Sequence, residues 1–226
     1  MAAIVSSLFI YPIKSCRGIS VPAAPLTPTG LRWDRQWLVV NSKGRAYTQR
    51  VEPKLALVVP ELPNDAFLED WVPSANSYLV LKAPGMSPLK VSLSQPGQIT
   101  EGISVWEWSG SALDEGEEAA KWFSDYLGKP SRLVRFNADS QKRPVDAKYA
   151  PGHKTMFSDG YPFLLISQTF RSDKALRPNG KPRGLIYFGQ NLVLKESLAG
   201  VKGKIIKAGD PVNVLKMVSS PAEAAV

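Results

Sequence analysis

Nineteen prolines and 17 glycines punctuate this 226-residue chain so densely that few apolar runs exceed a handful of residues. Long helices need uninterrupted stretches, so the chain is confined to short strands joined by turns. Between the breaks, residues 4–11, 36–41, 46–49, 55–59, 78–82 and 89–93 are rich in β-branched and aromatic side chains and read as strands. The runs 37–41 and 45–48 flank Ser42, Lys43 and Gly44, a turn-compatible triplet, and read as a hairpin. One segment escapes the pattern. In "DEGEEAAKWFSDYLGKP" the residues Ala119, Trp122, Phe123, Tyr126 and Leu127 recur at helical spacing, acidic residues fill the first turns, Gly128 supplies a stop and Pro130 follows.

Further strands are expected at 132–136, 161–167 (apolar and buried-looking), 184–187, 192–194, 204–206 and 212–215, with a disordered tail at 218–226. The fold class is α+β, mainly β: mixed or antiparallel barrel-like subdomains with one well-defined helix. A division just before the helix, near residues 109–114, separates a first domain at 1–110 from a second at 111–217.

Composition narrows the function. One cysteine and one histidine exclude a disulfide framework and a Cys- or His-rich zinc site, which suits a reducing compartment. No apolar stretch approaches the roughly 20 residues of a membrane span, and residues 1–10 lack the features of a secretory signal, so the expectation is a chain neither exported nor membrane-spanning. A net charge of +8 points to an anionic partner. The basic run at 177–184 lacks the interleaved aromatics of a nucleic-acid stacking platform, and no nucleic-acid partner is expected.

Three local features carry candidate chemistry. Lys14 and Ser15, after a strand, offer an ammonium and a hydroxyl to a phosphate, or form a solvated turn. Arg35, between Asp34 and the tryptophans Trp33 and Trp37, is either a rigid anion clamp or half of a structural Asp–Arg pair. Cys16 is a nucleophile or soft metal ligand if its thiolate is stabilised, and a small buried hydrophobe otherwise. His153 lies in "APGHKT" without a triad pattern, and is expected at the surface or behind a site.

The segments "IYPIKSCRGI", "GLRWDRQWLVVN", "GRAYTQR" and "PKLALV" together resemble the N-terminal β-barrel of the MOSC family. "RLVRF" with "FSDGYPFLLIS", and "KPRGLIYFGQNLVL" with "IKAGDPVNVL", resemble the start and end of the MOSC domain. The resemblance implies a molybdenum cofactor (molybdopterin), with Lys14, Ser15 and Arg35 holding the pterin and its phosphate. It places Asn191, after "FGQ", close to the cofactor, and Ser158 and Tyr161 on a cofactor-side loop. Relatives of this kind include enzymes that reduce N-hydroxylated compounds, with electrons from a flavoprotein reductase and a b-type cytochrome. The compartment implied is cytoplasmic, with possible association with mitochondria.

One departure stands out. Family members carry a "CxRC"-like motif after "YPFLLIS", whose cysteine gives molybdenum its protein thiolate, whereas no cysteine follows Cys16 here. The resemblance therefore implies a MOSC domain shortened internally near 168–170 and a second barrel left incomplete. Neither a catalytic residue nor a metal ligand is assigned. Three readings follow from it: an oxidoreductase that holds its cofactor with reduced or no turnover, a non-catalytic molybdopterin carrier or interaction protein, or a sulfur-acceptor module of the sulfurase type.

Overall fold

The computed structural model describes residues 3–166, 190–195 and 203–213. These residues form short antiparallel sheets and a single α-helix, as the Pro and Gly spacing requires. The central element is a four-stranded sheet in the spatial order Gln98–Val105, Trp108–Asp114, Ser131–Phe136, Trp37–Asn41. The proposed division near 109–114 falls on its second strand, which is paired on both sides. Strand alternation divides the apolar residues between two faces. Trp37, Val39 and Leu133 enter the larger core with the helix, while Leu38, Val40, Val134 and Phe136 join Ile103, Val105, Met156 and Phe157 in a smaller one.

The helix spans Glu117–Leu127 and buries Ala119, Ala120, Trp122, Phe123 and Leu127 on one face. Its entry is fixed by the Asp114 carboxylate, which accepts the Gly116 N–H at 2.8 Å. Gly128 ends it in the left-handed region, φ 72°, which a glycine adopts without a Cβ clash. A second sheet, Val59–Glu61, Tyr78–Lys82 and Leu89–Ser92, lies beside the helix, and Trp122 ties the two by donating its indole N–H to the Ser87 carbonyl at 2.7 Å.

Late segments of the chain return to early ones. Ile205–Lys207 pairs with Ala23–Thr27, which pairs in turn with Gly30–Leu31, and Pro211–Val212 pairs with Ala3–Ile4. Leu8–Ile10 pairs with Ile19–Val21, and Arg143–Pro144 with Lys154–Thr155. The described sheets remain separate units and do not close into one barrel.

Several strand expectations need correction. Residues 55–59 are mostly a 3-10 turn, Pro53–Leu57, because Pro53 presets the first helical dihedral. The run 46–49 forms no strand, although its hairpin exists: Tyr47 donates to Val39 O at 2.8 Å and Asn41 to Arg45 O at 2.9 Å. Gly44 lets this turn lie against Gly102, whose carbonyl would stand 2.3 Å from any added Cβ. The run 4–11 breaks into two strands at residues 5–7. The stretch at 161–167 shortens to Phe163–Leu165, pairs with Gln190–Leu192, and exposes Leu164 and Leu165 rather than burying them. The strand at 184–187, the basic run at 177–184, the shortening near 168–170 and the tail lie outside the described residues.

The deepest polar contact joins the two main sheets. Arg135 and Glu115 are both buried; the guanidinium donates Nε to Glu115 Oε1 at 2.6 Å and Nη2 to Oε2 at 3.2 Å. Its remaining donors reach the Leu93 carbonyl at 3.3 Å and the Ser92 carbonyl. Glu115 also accepts the Trp37 indole N–H at 2.6 Å. We expect Glu115→Ala to destabilise the fold by about 3–5 kcal/mol, since it leaves a buried guanidinium without its counter-charge and the Trp37 indole N–H without its acceptor. Urea denaturation followed by circular dichroism measures this, and a loss under about 1 kcal/mol would show the network to be dispensable.

Candidate functional site

Trp37 also organises the site. Its backbone N–H donates to Pro12 O at 3.0 Å and its carbonyl accepts the Lys14 N–H at 2.9 Å, so the loop that follows Leu8–Ile10 lies along the end of Trp37–Asn41. The turn before that strand is fixed by Asp34. This buried carboxylate accepts the Tyr11 N–H at 2.7 Å and pairs with Arg35 Nη1 at 2.5 Å, while Arg35 stacks 4.5 Å from the Tyr11 ring centroid. The Arg35 N–H donates to Tyr11 O at 2.7 Å. The Asp–Arg structural pair and the rigid guanidinium are therefore one arrangement.

Ser15, Trp33 and Arg35 have φ of 69°, 71° and 50°. Each costs about 1–2 kcal/mol in a residue with a Cβ, and strain of this kind gathers where a loop must aim side chains. The Ser15 hydroxyl makes no hydrogen bond to a described residue, while its carbonyl accepts from Gln49 Nε2 at 2.9 Å.

Lys14 is buried and ion-pairs with Asp159, whose side chain is 71% exposed. Burial pushes the Lys14 ammonium below the ordinary lysine value of 10.5, and the nearby Arg143 and Arg35 charges add to this against the pull of Asp159. Burial acts to raise the Asp159 carboxyl, but Lys14, the Trp106 indole N–H at 3.1 Å and Arg50 outweigh it and hold the acid below its usual range.

The Asp159 loop is anchored at both ends. Phe157 is fully buried against Phe136, 5.2 Å between centroids, and its N–H donates to Arg35 O at 3.1 Å. Arg143 donates to the carbonyls of Met156 at 2.7 Å, Asp159 at 2.9 Å and Ser158. The structure thus brings Lys14, Ser15, Arg35 and the Ser158 loop together around an excess of positive charge.

It does not bring in the other two candidates. Tyr161 is half-buried and has no described contact with Lys14, Ser15 or Arg35; burial raises its hydroxyl pKa, and Asp146 and Tyr149 add to the shift. Asn191 is exposed on Gln190–Leu192, opposite Leu164, and makes no described contact with Lys14, Ser15 or Arg35. His153 is buried, with its backbone tied to Val145 and Ala150, so the surface reading is corrected. Asp159, Arg143 and Trp106 were not singled out from the sequence. Asp159 sits inside the quoted "SDGYPF", but nothing local shows that it reaches across 145 residues to Lys14.

Against this geometry, the MOSC N-terminal beta barrel domain family matches residues 2–130, more than half the chain, including the Lys14 and Arg35 loops but not the Ser158 loop. The chain belongs to the MOSC family. Among relatives of this MOSC chain, mitochondrial amidoxime reducing component 2 of Rattus norvegicus is 33% identical over 201 residues, covering 84% of this chain and 56% of the relative. Mitochondrial amidoxime-reducing component 1 of Mus musculus is 33% identical over 177 residues, 75% of this chain and 49% of the relative. Molybdenum cofactor sulfurase of Homo sapiens is 33% identical over 141 residues, 62% of this chain and 15% of the relative. The MOSC chain spans about half the length of the amidoxime-reducing components it matches. No helix among its described residues is long and apolar enough to cross a membrane.

The phosphate end of a pterin fits the Lys14, Ser15 and Arg35 arrangement: a cation whose ion-pair partner among the described residues is one exposed carboxylate, a hydroxyl with no hydrogen bond to a described residue, and a second cation held rigid. The metal end finds no matching ligand among the described residues. Among the described residues no group of three His, Cys, Asp or Glu side chains could hold a metal ion, and Cys16 is fully buried with its thiol pushed far up by burial. A thiol so placed should not react with Ellman's reagent in the native protein, and should react stoichiometrically in guanidinium. Full labelling without denaturant would contradict this burial.

Proposed function

We propose that this MOSC chain binds molybdopterin by its phosphate, with Lys14 and Arg35 supplying charge-assisted hydrogen bonds and Ser15 a neutral one. The observation that supports this is the buried Lys14, which carries its positive charge beside Arg35 and Arg143 and is opposed by one exposed acid. A phosphate dianion brings more charge and more acceptor oxygens than Asp159, so it displaces that carboxylate from the ammonium. Arg35, already fixed by Asp34 and Tyr11, needs little ordering to receive the ligand.

The relatives this chain matches over most of its length are named for the reduction of amidoximes. For this chain we assign cofactor holding as the function. The bound group would supply redox chemistry of the family's kind; the described residues supply binding and charge. Turnover of an N-hydroxylated compound, with a flavoprotein reductase and a b-type cytochrome as donors and a location at mitochondria, is the enzymatic form of the proposal. The burial of Cys16 favours a second form, a molybdopterin carrier without turnover.

Protein purified from a host that makes the cofactor should release fluorescent pterin on oxidation, and Lys14→Ala with Arg35→Ala should remove it. Absence of both pterin and molybdenum from the wild type would sink the proposal. Pterin without amidoxime reduction selects the carrier form. Asp159→Asn should strengthen inorganic phosphate binding several-fold. The pH profile has a defined sign: affinity is present while Lys14 is protonated and falls as pH rises through its lowered pKa, at a lower pH than an ordinary lysine requires. Titration calorimetry across the alkaline range reads this, and an affinity constant up to pH 10.5 would contradict it.

A further inference from the structure

Lys14 borders a second space that Ser15 and Arg35 do not line. This cavity, of about 320 Å³, lies between the turn around Arg45 and the tip of the hairpin formed by Gln98–Val105 and Trp108–Asp114, and is walled by Lys14, Arg45, Thr48, Ser104, Trp106 and Glu107. Its size falls within the range of small-molecule sites. The Arg45 guanidinium has no ion pair or hydrogen bond to a described residue. Arg50, also without an ion pair among the described residues, lies 5.6 Å from the Trp106 ring centroid, and Lys14 Nζ lies 6.0 Å from it. Trp106 is 49% exposed and occupies a hairpin tip at φ 54°, where asparagine or glycine would carry less strain. Its N–H donates to Asp159, which fixes the ring's orientation beside the cations.

A large strained aromatic held open at the mouth of a cationic cavity has no role in the core. From this arrangement we infer a nucleoside-phosphate subsite: the base stacks on Trp106 beside Arg50, and the phosphate is shared between Lys14 and Arg45. Thr48 and Ser104 offer hydroxyls to the phosphate or sugar, and Glu107 is an acceptor for a ribose hydroxyl or a base amine. The nucleotide is a free ligand, and this reading does not rest on the proposed function.

The test is titration calorimetry with CMP, GMP, ribose 5-phosphate and inorganic phosphate. The nucleotides should bind about tenfold more tightly than ribose 5-phosphate, the gain expected from stacking one base. Trp106→Leu should abolish that preference and Trp106→Phe, which keeps the π-face but lacks the N–H, should retain it; circular dichroism checks the fold of both. Arg50→Ala should weaken the nucleotides more than inorganic phosphate. Equal affinity for CMP, GMP and ribose 5-phosphate, or a preference that survives Trp106→Leu, overturns the subsite and leaves the pterin-phosphate proposal standing. Nucleotide binding by a protein that never acquires pterin supports the subsite while removing the proposed function.

Discussion

The buried carboxylate of Glu115 is the point on which the architecture and the site both depend. It lies between the end of a central strand and the start of the helix, and binds Arg135 and the indole of Trp37. Arg135 carries the connection to the carbonyls at the end of Leu89–Ser92 and stacks 5.0 Å from the Trp37 ring centroid. A buried ion pair contributes little net stability against an apolar replacement, because desolvation cancels much of its attraction. Its effect is specificity: the guanidinium has donors in several directions, and only one relative placement of the two sheets satisfies them. Trp37 is thereby fixed in depth and rotation, and its backbone receives the Lys14 loop.

From that fixed strand the site is built by strain and clamping. The turn at residues 33–35 alternates unusual and ordinary dihedrals, and three side chains in the two site loops sit at positive φ. Asp34 holds this conformation from inside, accepting from the Tyr11 backbone and from Arg35. The stored cost, about 1–2 kcal/mol per residue, is tolerable only because the sheet and both cores over-determine the loops. A relaxed turn would point the Arg35 guanidinium elsewhere and let the Ser15 hydroxyl find a backbone partner.

The legibility of these features follows their range. The helix could be read from the sequence because its periodicity, acidic start and Gly128 stop are all local. The Tyr78–Lys82 strand was equally plain. The hairpin of Gln98–Val105 and Trp108–Asp114 was not, because its two-residue turn is Trp106–Glu107 rather than Asn-Gly, and a bulge between Thr100 and Ile103 breaks the alternation. Residues 19–31 hid three short strands for a similar reason: Pro22, Pro25 and Pro28 read as breakers, while the pairing of the first comes from Leu8–Ile10 and that of the second from Ile205–Lys207. Lys14, Ser15 and Arg35 were grouped through family resemblance, not through any local pattern. Their electrostatic partner Asp159 was not, since it is brought to Lys14 by Phe157 packing and three Arg143 hydrogen bonds, none of which has a local signature.

The placement of charge also explains how the net +8 is used. Dispersed surface charge gives long-range attraction that salt screens within about 10 Å. Lys14 differs, because burial lowers its pKa and raises the energy of its charged form, so the ammonium is stabilised by any anion that reaches it. Asp159 performs that role from an exposed loop, a partner strong enough to keep the lysine charged and weakly enough held to give way. The Trp106 indole N–H donates to the same carboxylate, so the ring and the ammonium share one acceptor. Lys14 and Trp106 are thus linked through one exposed carboxylate, and that linkage is a consequence of the fold rather than of any single motif.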